Sequence, residues 1–354
     1  MSRASRARRI ATKAAFGGGG AVGVAGGAAG VLWAQALLAR HRVGLPDREP
    51  FPVDGTYGTH RRSSAGLPPY RLAVLGDSAA AGLGADHPED TMAVLLAEGL
   101  SAVSGRPVQL ANRAVVGAQT SAVDAQVDLA LTAFSGHGPD AAVIMVGAND
   151  VTHRVSARAS LRALDQVVRR LVEADCDVIV ACCPDLGTVQ PVPNPLRALG
   201  RRWSRTLAAG QAITTVEAGG RAVSLGTLLG PEFEHRGDEF FSADRFHPSS
   251  VGYRRVAEVL LPSLCAALGL GPDPDESLDL RRGEQVAPIA KVAARAAAEP
   301  GSEVSRAQVA GADRGTQGRW AVLRHRIPLI RPETSVATEP PEPTDLDPQP
   351  VHQE

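Results

Sequence analysis

The most constraining feature of the sequence is a regular alternation of short apolar runs and longer helical stretches between Tyr70 and Leu270. The apolar runs are rich in Val and are typical of buried strands: RLAVLG, PVQLANRAV, AAVIMVG, DVIVACC and RAVSLG. The stretches between them have helical periodicity; in one, Leu164, Val168 and Leu171 recur at three- and four-residue steps. Continuous apolar strands that alternate with helices indicate a parallel sheet covered on both faces. The sequence therefore predicts an α/β fold, a three-layer α/β/α sandwich.

The last predicted helix of this domain, SSVGYRRVAEVLLPSLCAALG, contains Pro262 in its interior. Proline has no backbone N–H, and its ring clashes with the preceding turn of a helix. We expect this helix to kink or break at Pro262.

The segments on either side of the domain differ from it in composition. Residues 1–13 are basic, residues 14–39 contain no charged side chain, and residues 40–69 form a Pro-rich linker. The uncharged segment would be roughly 39 Å long as a helix, enough to span a bilayer of about 30 Å. It is interpreted as a transmembrane anchor or as a signal segment with AQA at 34–36 as cleavage site, the anchor being favoured. The basic residues before it predict a domain outside the cytoplasm.

The C-terminal segment from 271 to 354 is rich in Pro and acidic residues and is predicted to be mostly disordered. The formal net charge of −1 gives no indication of nucleic-acid binding. The cysteines at 176, 182, 183 and 265 lack the spacing of a zinc site and are interpreted as buried thiols. We therefore expect no metal and no cofactor.

Four short stretches follow predicted strands or precede the last helix: GDS at 76–78, the loop containing Gly117, GAND at 147–150, and DRFHPS at 244–249. Taken one at a time, each has an ordinary structural interpretation as a helix cap or a turn. However, the carboxyl ends of parallel strands share one edge of a sheet, where ligands bind. We therefore expect the four stretches to be neighbours in space.

The residue types in these stretches suit acyl transfer. Ser78 needs a base to act as a nucleophile, and His247 is the candidate, with Asp244 to orient it. The oxyanion formed on attack needs donors aimed at it in advance. The backbone N–H groups of Ser78 and Gly117 and the side-chain amide of Asn149 are the candidates for this oxyanion hole.

In this order, GDS, a lone Gly, G-x-N-D and D-x-x-H resemble the signatures of the SGNH (GDSL) hydrolase superfamily, over about 70–270. The resemblance implies a flavodoxin-like sheet of five parallel strands, with Ser78 as nucleophile and His247 with Asp244 as base and orienter. It also implies that Gly117 and Asn149 are oxyanion donors. GDSAAAG departs from the family name because it lacks the Leu of GDSL.

These observations predict a serine esterase that cleaves acyl esters of a small molecule, lipid or glycan through an acyl-enzyme. Two alternatives remain open on the sequence alone. The same triad could pass the acyl group to, or remove it from, a glycan or lipid of the cell envelope. The domain could also be a surface binding module whose triad is unused.

Overall fold

The computed structural model describes residues 30, 31, 34, 35, 38, 49–58, 67–270 and 303–304. The basic region 1–13, most of the predicted anchor 14–39, parts of the linker 40–69 and nearly all of the tail 271–354 lie outside the described residues. Of the helices in the described part, none has the length and apolar character needed to cross a membrane.

The described strands form one sheet of seven members in the order β1-β3-β2-β4-β5-β6-β7. The strands are β1 Gly55–Tyr57, β2 Tyr70–Gly76, β3 Val108–Asn112, β4 Ala141–Met145, β5 Asp177–Ala181, β6 Arg221–Val223 and β7 Glu303–Val304. The five parallel strands expected from the sequence are β2 to β6, each at its predicted place. The sheet is mixed, because β1 pairs antiparallel with β3, whereas β7 runs parallel to β6.

The α-helices with described bounds lie between the strands or follow them. They are α1 Met92–Ser104, α2 Val123–Leu131, α3 Ala148–Thr152, α4 Ala157–Glu173, α5 Leu196–Glu217, α6 Leu225–Leu228, α7 Gly230–His235, α8 Gly237–Phe240 and α9 Ser250–Ala267. Helices α1, α4 and α9 are preceded by the N-cap residues Thr91, Ser156 and Ser249, whose side chains accept a backbone N–H of the first turn. Such caps satisfy donors that have no partner within the helix.

The core has one layer on each face of the sheet, because successive side chains of a strand point to opposite faces. On one face, Leu72 and Val74 of β2 belong to an apolar cluster with residues of α1 and α9. On the other face, Ala73 and Leu75 of the same strand pack with residues of α2 and α4. A third cluster joins α5 to β6 and to Cys182 and Cys183. This arrangement confirms the predicted three-layer α/β/α fold.

Two features differ from the sequence-based expectation. Of the two outcomes expected at Pro262, a kink or a break, the break does not occur, because helix α9 runs through Pro262 to Ala267. Proline removes only one N–H from the helix, and buried side chains on both sides, such as Leu260 and Leu264, hold it against the core. In addition, the predicted linker contains strand β1, and the predicted tail contains the two residues of β7. All four cysteines are buried and free, as expected.

Candidate active site

Ser78 lies in a tight turn directly after β2, near the middle of the sheet. The strand ends at Gly76, where a Cβ atom would lie 1.9 Å from the carbonyl oxygen of Met145, so that no other residue fits between β2 and β4. The carboxylate of Asp77 accepts the amide of Ala79 at 3.0 Å and so orders the turn. Burial raises the pKa of Asp77 to about 6, although the Ala79 amide and the nearby His247 act in the opposite direction. Asp77 therefore supports the turn, as expected from the sequence.

His247 lies on the loop between α8 and α9, 169 residues after Ser78 in the chain. Its Nε2 atom is 2.9 Å from the hydroxyl oxygen of Ser78, and its Nδ1 atom is 2.5 Å from a carboxylate oxygen of Asp244. An Nδ1–H that donates to Asp244 leaves Nε2 free to accept the serine proton. The three residues are buried, with relative exposures of 7–8%. The structure thus brings together the three residues predicted as a triad.

Asp244 is held in its ionised form by several donors. Its second oxygen accepts the hydroxyl of Ser242 and the amides of Phe246 and His247, all within 2.8–2.9 Å. Partial burial alone would raise the pKa of Asp244, but the hydrogen bonds from His247, Phe246 and Ser242 together lower it to about 2. A permanent negative charge at this position would stabilise an imidazolium on His247.

The loop with Gly117 contacts both the turn of Ser78 and the start of α3. The amide of Val115 donates to the carbonyl of Gly76 at 3.0 Å, and the side-chain amide of Asn149 donates to the carbonyl of Ala118 at 3.1 Å. Gly117 has a φ of +81°, a conformation that L-residues with a side chain rarely adopt. Within the described part of the chain, the amides of Ser78 and Gly117 donate to no protein acceptor.

Asp150, which the sequence analysis did not single out, joins the same loop to α4. It is buried, and its carboxylate accepts the amide and hydroxyl of Thr120, at 3.0 and 3.1 Å, and the hydroxyl of Ser160, at 2.5 Å. Thr120 follows Gly117 closely, and Asp150 follows Asn149. Asp150 therefore fixes the two candidate donors relative to each other. The sequence feature that could have indicated this role is its position in the GAND stretch, directly after Asn149.

Two buried glutamines support the strand ends and were also missed. Gln126 of α2 binds both backbone groups of Gly76: its carbonyl accepts the N–H at 2.7 Å and its amide donates to the C=O at 2.9 Å. Gln211 of α5 accepts the amide of Cys183 at 2.7 Å and donates to the carbonyl of Val146 at 2.9 Å. Each glutamine thus makes hydrogen bonds to backbone groups at the end of a strand, in place of those that a neighbouring strand would make. A single polar residue in an amphipathic helix gives no signal of this role.

An apolar pocket with a volume of about 90 Å³ opens from Ser78, His247 and Asn149. Buried side chains of α6, α7 and α9 contribute to its wall, among them Leu225, Phe233 and Val256. Within the described part of the chain, no group of three or more His, Cys, Asp or Glu side chains is arranged to hold a metal ion. A serine hydroxyl bonded to an imidazole, which is in turn bonded to an ionised carboxylate, therefore lies beside an apolar cavity, an arrangement that suits attack on a carbonyl carbon.

Residues 74–255 match the GDSL-like Lipase/Acylhydrolase family. The chain belongs to this family. It is an SGNH-type serine hydrolase, as the order of its motifs indicated. It is 39% identical to the GDSL-like esterase Rv1075c of Mycobacterium tuberculosis (strain ATCC 25618 / H37Rv) over 247 residues, which cover 68% of this chain and 78% of the relative.

Solved structures of similar proteins cover little more than half of the chain. LAE5, an alpha/beta hydrolase enzyme from the metagenome of Lake Arreo, Spain, is 18% identical, with a TM-score of 0.45, over 57% of this chain and 95% of its own. TesA is also 18% identical, with a TM-score of 0.43, over 56% of this chain and 99% of its own.

Proposed function

We propose that this family member is an esterase in which Ser78, His247 and Asp244 act as a catalytic triad on carboxylic acyl esters. The observation that carries the proposal is the unbroken chain of hydrogen bonds from Asp244 through His247 to Ser78. A structural cap or turn would not need a buried carboxylate, imidazole and hydroxyl in this order. The 39% identity to a protein named as an esterase supports the same activity.

In the first half of the proposed reaction, Ser78 Oγ attacks the ester carbonyl carbon while its proton passes to Nε2 of His247. The resulting oxyanion receives hydrogen bonds from the amides of Ser78 and Gly117 and from Asn149. When the intermediate collapses, the bond to the alcohol oxygen breaks, and that oxygen takes the proton from Nε2. Ser78 is left as an acyl ester.

In the second half, a water molecule gives a proton to Nε2, and its oxygen attacks the acyl carbon through the same oxyanion. The bond to Ser78 Oγ breaks, and the serine recovers its proton from His247. Asp244 stays ionised throughout, in keeping with its low pKa. Every proton in these two half-reactions moves between His247 and either Ser78, the leaving alcohol or the attacking water.

Labelling with a fluorophosphonate tests the nucleophile. The wild-type protein should be labelled at Ser78, and Ser78→Ala should abolish labelling and lower ester hydrolysis by a factor of roughly 10⁴ or more. Ser104→Ala is a matched control at the end of α1, where the hydroxyl only donates to the carbonyl of Leu100 and caps the amide of Arg106. Labelling that persists in Ser78→Ala would place the nucleophile elsewhere. Absence of labelling in the wild-type protein would favour a binding module.

We also propose that residues 14–39 anchor the protein in a membrane, with the hydrolase domain outside the cytoplasm. Arg3, Arg6, Arg8, Arg9 and Lys13 precede the uncharged segment, whereas only arginines at 40, 42 and 48 follow closely. Positive charge is retained on the cytoplasmic side of membranes. A reporter fused after Leu270 should therefore be active outside the cytoplasm and fractionate with membranes. A soluble cytoplasmic fusion would contradict this topology.

A further inference from the structure

The apolar pocket beside Ser78 has a wall that the proposed catalytic steps do not use. The wall is formed largely by α7 and the neighbouring segments, and its centre is a cluster of aromatic rings. Phe233 stacks on Phe240 with ring centroids 5.2 Å apart and meets Phe241 edge to face at the same distance. Val256 of α9 also lines the pocket and is 4% exposed. Such a wall suits a ligand made of CH₂ groups rather than a polar one.

Two carboxylates line the pocket, Asp77 in the turn of Ser78 and Asp185, and Asp185 is neutralised by neighbouring groups. The side chain of Asp185 is only 1% exposed. One of its oxygens accepts the guanidinium of Arg205 at 2.7 Å, and the other accepts the amide of Gly187 at 2.8 Å. A buried carboxylate engaged in this way does not offer its charge to a ligand. The pocket therefore selects against cationic as well as anionic groups.

The volume of the pocket limits the length of the chain it can hold. A cavity needs roughly 10–15 Å³ to admit one water molecule, so about 90 Å³ admits roughly six to nine atoms of that size. A methylene group is similar in size to a water molecule. Because the carbonyl carbon and oxygen occupy two of these positions next to Ser78, about four to seven further carbon atoms fit, which corresponds to acyl chains of about five to eight carbons.

The order of events at a serine esterase assigns the pocket to the acyl part of the ester. The acyl group stays attached to the enzyme after the alcohol has left, and water must then enter on the alcohol side. A pocket with buried walls suits the acyl group, which stays bound to the enzyme until water releases it. In contrast, the loop before Gly117 exposes Val115 and Val116 by 53% and 50%, which suits a leaving group that departs to solvent.

We propose that the pocket between α7 and α9 binds an unbranched, uncharged acyl chain of about five to eight carbons, and that Phe233 and Val256 set its maximum length. This proposal rests on the proposed esterase function and adds the substrate class to it. Hydrolysis should rise about fourfold in kcat/KM for each methylene added up to the limit, because each CH₂ leaves water for an apolar wall. Beyond the limit it should fall steeply, by tenfold or more at twelve carbons.

Two substitutions of opposite effect test the length limit. Val256→Phe adds four heavy atoms to the pocket wall and should lower the optimum by about three to four carbons, with a loss of at least tenfold on an eight-carbon ester and little on acetate. Phe233→Ala removes a ring and should extend the optimum by a similar amount. Both are assayed with p-nitrophenyl esters of two to sixteen carbons, and then with hexanoate esters of alcohols of increasing length.

Matched controls separate pocket filling from effects on stability. Val251→Phe makes the same change on the exposed side of α9, where Val251 is 42% exposed. Leu264→Ala truncates a fully buried side chain of α9 that does not line the pocket and should lower the melting temperature as Phe233→Ala does. Neither control should move the optimum chain length.

The outcomes distinguish this proposal from the proposed function. An active enzyme whose optimum does not move in either variant would overturn the acyl pocket and leave the esterase function intact. A length limit that follows the alcohol instead of the acyl group would assign the pocket to the leaving group and also overturn the proposal. Absence of both labelling and turnover in the wild-type protein would reject the esterase function itself.

Discussion

At the scale of single residues, Asn149 is the site residue whose role is most easily separated from a structural one. Its side-chain amide carries two hydrogens, and one of them is donated to the carbonyl of Ala118. If the other meets the developing oxyanion, Asn149→Ala removes a bond that strengthens only in the transition state. We expect kcat to fall by roughly 10²–10³, about 3–4 kcal/mol, with KM nearly unchanged.

The measurement compares kcat and KM on one short-chain ester with thermal melts of both proteins. Fluorophosphonate labelling of Ser78 should persist at a lower rate, because the nucleophile and its base remain in place. A purely structural Asn149 would instead cost about 1 kcal/mol of stability and little turnover. A loss of kcat that merely follows the fraction unfolded would support that structural role.

Asp77 makes stability depend on pH in a direction opposite to most carboxylates. Its pKa rises from 3.8 to about 6 on folding, so between these values the folded protein keeps a proton that the unfolded chain has lost. Burial of the ionised Asp77 carboxylate therefore lowers the free energy of unfolding. This destabilisation is absent below pH 3.8, grows as the pH rises to about 6 and is constant above that. Asp77→Asn should therefore raise the free energy of unfolding by up to about 3 kcal/mol at pH 7.5 and by little at pH 4.

Urea denaturation of wild type and variant at pH 4, 5, 6 and 7.5 checks this expectation. Asp238→Asn, an exposed position on α8, is the control and should change stability equally at every pH. A stabilisation by Asp77→Asn that is the same at pH 4 and 7.5 would show that charge burial is not its cause.

At the scale of secondary structure elements, the turn that contains Ser78 depends on a side chain from helix α2, Gln126. Gln126→Met keeps the approximate size of the side chain but removes both hydrogen bonds to Gly76. The carbonyl of Gly76 retains the amide of Val115, whereas its N–H loses its acceptor. We expect a loss of about 1–3 kcal/mol in stability from this one buried donor. Because Ser78 follows two residues later, kcat should fall as well.

Chemical denaturation and steady-state kinetics of Gln126→Met give the two values. Leu129→Met on the same helix, at a side chain that is 57% exposed, is the control and should leave both unchanged. Full stability of Gln126→Met would mean that water or another group replaces the glutamine.

The elements also show which parts of the molecule the sequence can predict. Strands β2 to β6 and their helices follow from runs such as AAVIMVG, because a doubly covered strand must be apolar throughout. Strand β1 has only three residues, GTY, in a Pro-rich segment, and its identity comes from pairing with β3 rather than from its composition. Likewise, no local pattern reveals that Gln126 and Gln211 face inward or that α6 and α7 form a pocket. These features depend on contacts between distant residues.

At the scale of the whole molecule, the position of β1 moves the boundary of the folding unit toward the N-terminus. Val53 is buried, and the carboxylate of Asp54 accepts the amide of Asn112 at 2.8 Å and the guanidinium of Arg113 at 2.6 Å. The side chain of Asn112 in turn donates to the carbonyl of Ala80, beside the nucleophile. A fragment of residues 49–270 should therefore be as active as the full chain.

A fragment of residues 67–270 lacks these contacts and should melt at a lower temperature and turn over more slowly. Asp54→Asn in the longer fragment measures the contribution of the Asp54–Arg113 ion pair to the melting temperature. This contribution should be small because Asp54 is largely exposed. Equal stability of the two fragments would show that the unit begins at β2. A loss of folding in both would instead point to a contribution from β7.

The separation of Ser78 and His247 along the chain has a consequence for synthesis. A ribosome produces Ser78, the proposed nucleophile, early and His247, its proposed base, 169 residues later, after all of β2 to β6. The contact also closes a very long loop, and contacts of such high sequence separation slow folding. The nascent polypeptide thus carries a serine without its base until the segment containing α9 has emerged and docked. Esterase activity is consequently a marker of completed folding. A chain truncated before residue 244 would contain Ser78 and strands β2 to β6 but would lack His247, and it should be inactive.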